Sequence, residues 1–169
     1  MSSMWDLVER SFKGKFAQLV VVRAMLELGI SVREGSPFCG PFQIQKIEIA
    51  RQLGVNRKVI DRVLEKVESN PQLTEVFERL KPICDISDVA SILGFPVLEV
   101  FVENSFVPGI VAKVTDMLAK EKVTLRFVAA LDPEISVESK LVLVGEGPLP
   151  FGFVDKLMEL RGIQKVVLS

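Results

Sequence analysis

The sequence predicts an α+β protein in two parts, a helical N-terminal domain containing a helix-turn-helix and a C-terminal domain of order strand, helix, strand, strand, helix, strand. Three observations predict it. Apolar residues recur at three-and-four spacing through most of the first half, the pattern of helices buried along one side. From Pro96 onward the stretches VLEVFVE, VTLRFVAAL and KLVLVGE read as strands. At 169 residues the chain can form two small cores, so this change of character sets the division. The expected boundaries are 1–70 for the helix-turn-helix domain, 71–95 for a helical linker and 96–169 for the C-terminal domain.

Trp5 to Leu28 carries the spacing of one long amphipathic helix, ended by Gly29. ISVRE and FCGPFQI then form a short hairpin, with Gly35 and Pro37 at its turn and Gly40 with Pro41 interrupting the return strand. IEIARQLGVNRKVIDRVLEKV reads as two helices meeting at Gly54, and Asn70-Pro71 closes the second. Short helices over Leu73 to Leu80 and Val89 to Leu93 follow, the latter capped by Asp85 or Ser87 of DISD. In the C-terminal half, Gly109 to Lys120 and Phe151 to Leu160 are the helical segments, and QKVVLS is the last strand. That order builds an antiparallel sheet with both helices on one face, the ferredoxin-like arrangement. Phe101, Phe127 and their β-branched neighbours make the strands more apolar than a solvated face needs. A second copy or the N-terminal half is expected to cover them.

The composition limits the chemistry. With 49% hydrophobic and 25% charged residues the chain is an ordinary folding protein, and no apolar run is long enough to span a bilayer. The start MSSMWDLVER has no signal-peptide pattern, so a cytoplasmic protein is expected. Neither His nor Tyr occurs, which removes the commonest general base, the commonest zinc ligand and the phenolic acid. The chain is therefore not expected to be an enzyme or to carry a cofactor or metal. Cys39 and Cys84, far apart and without neighbouring ligand types, read as reduced structural thiols. GEGPLP has no phosphate-loop lysine.

A DNA-reading helix-turn-helix needs a small residue where its helices cross, a residue that tolerates positive φ in the turn, and apolar plugs that set the helix angle. Ala50 and Gly54 supply the first two, and Ile49, Leu53, Val55, Ile60 and Val63 the third. Asn56 caps the second helix, whose outward face carries Arg57, Lys58, Asp61 and Arg62 as the candidate DNA-binding residues. Residues 1–70 hold 11 basic and 8 acidic side chains, and residues 96–169 hold 8 and 10. The polarity has the right sign but modest size, so a dimer presenting two reading helices is expected. Use of the same motif for packing or protein contact stays open.

VLEVFVENSFVPGIVAKVTDMLAKEKVTLRFVAAL resembles the opening of an ACT domain, a small amino-acid-binding regulatory module. The resemblance rests on the strand ending at Glu103 and Asn104, on Pro108-Gly109 at the start of the helix, and on the element order. It implies dimerisation, with an amino acid or similar metabolite held near the loop after the first strand by Asn104, Pro108, Gly109, Ile110 and Val111. Independently of any family, Gly109 lets backbone approach a ligand and the amides of Ile110 and Val111 can receive a carboxylate. Two departures from the family fall on that pocket: SFV lengthens the spacer between Asn104 and Pro108, and Lys122 with Thr124 replace the usual Gly and Asn. Asn104 and Gly109 as plain turn residues are the alternative. Over nearly its whole length the chain is similar to archaeal ACT-domain proteins described as regulators of amino acid metabolism. The implied function is an amino-acid-responsive transcriptional regulator that forms homodimers or larger assemblies. The alternative is a regulatory partner that senses an amino acid and docks on a biosynthetic enzyme without touching DNA.

Overall fold

The computed structural model describes residues 4–103, 108–132, 134–136 and 138–169, a mixed α+β chain with antiparallel sheets in two compact units, 1–83 and 84–169. The first unit opens with α1 (Met4–Ser11) and α2 (Phe16–Glu27). These two helices replace the single helix expected over Trp5 to Leu28. The chain breaks at Gly14, which adopts φ +74, and the break lets Val8 of α1, Phe12 just after it, and Val21, Val22 and Met25 of α2 all enter the core.

Strands β1 (Ile30–Arg33), β2 (Ser36–Cys39) and β3 (Phe42–Gln43) form an antiparallel sheet in that order. Its first turn differs from the expected one. Glu34 and Gly35 both take positive φ, +48 and +65, which makes a two-residue turn that matches strand twist. Pro37 is left inside β2, buried and opposite Val32. Helices α3 (Lys46–Gln52), α4 (Arg57–Ser69) and α5 (Pro71–Glu78) complete the unit, and α4 packs against α2, α3 and α5. The Asn70 side chain accepts from the Gln72 and Leu73 amides at 3.0 and 3.4 Å to start α5, with Pro71 in the first turn.

The expected linker is divided between the units. Leu73 and Phe77 of α5 are fully buried in the first core, whereas α6 (Ser87–Ile92) belongs to the second unit. The cap position of α6 falls on Ile86 rather than on Asp85 or Ser87, and the Asp85 carboxylate accepts from the Ser87 amide at 2.9 Å from one residue further out.

The second unit follows as β4 (Val97–Val102), α7 (Ile110–Lys120), β5 (Thr124–Ala130), β6 (Lys140–Glu146), α8 (Phe153–Met158) and β7 (Ile163–Leu168). Its sheet is antiparallel in the order β5-β6-β4-β7. Val114, Leu118, Phe153 and Leu157 of the two helices pack on one face against Val100 and Leu143. The opposite face carries a smaller cluster of its own. Ala90 of α6 packs on Val97, Val142 and Val144, with Phe127 beside them, so the segment read as linker folds back on part of this face. A bulge between Leu125 and Phe127 lets these two residues of β5 serve opposite faces. Phe101 is half-buried beneath the Lys140 and Lys165 ammonium groups, 5.7 and 4.9 Å from its ring centre.

Candidate functional site

The turn between α3 and α4 is fixed by hydrogen bonds that the sequence specifies. The Val55 amide donates to the Ala50 carbonyl at 3.0 Å and the Gly54 amide to the Arg51 carbonyl at 3.4 Å. This is the Schellman ending, which needs a left-handed residue at Gly54, and Gly54 has φ +63. Asn56 then accepts from the Lys58 amide at 2.9 Å and starts α4. Ala50 is 2% exposed where the helices meet, and Ile49, Ile60 and Val63 are buried, while Leu53 and Val55 are half-buried. The helices are thus locked by small and apolar contacts, and their polar faces are left to solvent.

Arg57, Lys58 and Arg62 are exposed, as their positions in the sequence predict, and Asp61 is half-buried. Asp61 pairs with Arg57 at 3.9 Å and, across the turn, with Lys46 at 3.2 Å. It therefore neutralises part of the charge that the face would otherwise present. Among the described residues, neither Lys58 nor Arg62 takes an ion-pair partner. Arg51 pairs with Glu48. Beside the Lys46 and Arg57 side chains lies an open cleft of about 510 Å³, lined also by Gln43, Gln45 and Ile47. Sequence reasoning missed Lys46, Gln43 and Gln45. They stand on another helix and strand, and only the turn at Gly54 brings Lys46 to Asp61.

At the other candidate site, Gly109 has φ +92 and stands at the cap position of α7, where it offers no side-chain cap. Open space surrounds the position of a Gly109 Cβ, so backbone conformation rather than crowding calls for glycine. Pro108 and Gly109 are exposed, and Val111 is 38% exposed. Ile110 directs its side chain into the core, 8% exposed, and only its amide faces the terminus. Asn104, the fifth candidate, lies outside the described residues. A cleft of about 490 Å³ lined by Phe95, Pro96, Gly147 and Leu168 lies at the far end of β4 from Gly109.

Lys122 ends α7 in a left-handed conformation. It has φ +61, and it donates to Ala119 while Val123 donates to Leu118, which is again the Schellman ending. The backbone there calls for a left-handed residue, and a lysine fills it at a cost in strain.

The Lys140 ammonium holds its proton more firmly than an ordinary lysine. Its hydrogen bond to Glu99, 2.5 Å long, raises its pKa above the ordinary value of 10.5; burial opposes this, and the negative charges of Glu99, Glu138 and Asp85 add to it. Among the described residues, no group of three or more His, Cys, Asp or Glu side chains is placed to hold a metal, and no helix is long and apolar enough to cross a membrane. Cys39 and Cys84 are free thiols. No family model matches the chain, and no curated protein matches it.

Proposed function

We propose that the protein is an amino-acid-responsive transcriptional regulator, a homodimer that binds duplex DNA through α3 and α4 and a small metabolite through the loop before α7. The observation that carries the DNA half is the locked α3-turn-α4 pair, with Ala50 at the crossing and Lys58 and Arg62 exposed on the second helix. Support for a ferredoxin-like, ACT-type second unit comes from the order β5-β6-β4-β7, with both α7 and α8 against one face. The uncapped start of α7 behind Gly109 supports a carboxylate-bearing ligand.

Two measurements test the two halves. Thermal unfolding against a panel of amino acids should show one of them stabilising the protein by about 2.7 kcal/mol at a hundred times its dissociation constant. A panel without any shift rejects the sensing half. Replacing Arg57 and Arg62 together by Ala should weaken duplex binding and flatten its dependence on salt, and an unchanged affinity rejects the DNA half.

A second reading, a sensor that docks on a biosynthetic enzyme, draws support from the apolar surface of the first unit. Phe16 and Leu28 of its α2 region are 82% and 61% exposed, and Phe42 is 76% exposed. Recovery of a stoichiometric enzyme from extract by the full chain, with no duplex binding, selects this reading.

A further inference from the structure

We infer that the cleft between β3 and the starts of α3 and α4 is a phosphate-binding site for the nucleic-acid backbone, and that Asp61 is a built-in carboxylate competing with the phosphate for its two cations. The inference rests on the DNA-binding reading and adds to it a site and a restraint. Lys46 and Arg57 stand at the first positions of their helices and line one cleft with Gln43 and Gln45. Two cations and two side-chain amides on one concave surface match the chemistry of a phosphodiester oxygen pair. In the free protein, the Asp61 carboxylate bridges the two cations at 3.2 and 3.9 Å, and its side chain remains 35% exposed. A phosphate entering there meets two cations already half-neutralised and one carboxylate of its own sign. The result is a reading head held to modest affinity, in keeping with the small positive balance of the N-terminal segment.

The test measures binding of the full chain to a mixed-sequence DNA duplex over a series of salt concentrations. Asp61→Asn should bind roughly three- to tenfold tighter at low salt, with a log-log salt slope steeper by up to about 0.9, because one more phosphate is neutralised. Lys46→Ala should weaken binding and flatten the slope, and adding it to Asp61→Asn should return affinity toward that of the unmodified chain. Glu27→Gln, on α2, removes the same charge away from the cleft and should change affinity less than twofold. If Asp61→Asn matches Glu27→Gln, while Lys58→Ala and Arg62→Ala still weaken binding, the inference fails and the DNA reading stands. If neither the unmodified chain nor Asp61→Asn binds the duplex, both fail together.

Discussion

At Gly29 the left-handed backbone, φ +63, coincides with a close approach of chain to chain: a Cβ there would lie 2.3 Å from the Lys81 carbonyl oxygen. Neither partner is a flexible side chain, so Gly29→Ala should destabilise the protein by about 2–4 kcal/mol, read from urea unfolding. Gly14→Ala is the comparison. Its φ is +74 but the space around it is open, so the cost should be the backbone strain alone, about 1–2 kcal/mol. Lys122 supplies the opposite case, and Lys122→Gly should stabilise by about 0.5–1 kcal/mol through relief of the same strain. The Glu99–Lys140 pair adds a pH dependence. A lysine raised above 10.5 in the folded state stabilises fully at neutral pH, and that contribution disappears as pH climbs through the raised value. With side chains 29% and 22% exposed the pair contributes at most about 1 kcal/mol, so Glu99→Gln should show a deficit of that size near pH 7 that closes in alkali.

Local signals carried the α3-turn-α4 pair. Gly54, Asn56 and the apolar spacing each act within a few residues, which is why that element was legible from the sequence. α6 was legible as a short helix over Val89 to Leu93, but its seat on the sheet was not, because six residues gain that place only from contacts made far along the chain. Ala90, 4% exposed, is the contact that seats it. Ala90→Asp should unseat α6, destabilise the second unit by about 2–3 kcal/mol and expose Phe127, seen as dye binding to the uncovered face. The break between α1 and α2 was hidden for a related reason. Apolar periodicity continues across Gly14, and only its positive φ interrupts the helix. The pairing of Lys46 with Asp61 was hidden as well, since it depends on how two helices cross.

Over the whole molecule, residues 80–86 carry no regular secondary structure, and Ile83 is 84% exposed where one unit ends and the next begins. Each unit has its own buried core, so fragments 1–83 and 84–169 should each fold and unfold cooperatively by circular dichroism. An unfolded fragment would show that its core depends on the other. The proposed regulator then requires that a ligand at the start of α7 change DNA affinity at α4, which demands a preference for one arrangement over another. The most direct measurement is duplex binding by the full chain, alone and with each amino acid in turn. The account predicts salt-dependent binding that one amino acid shifts by about fivefold or more. No binding with or without any of them would contradict it.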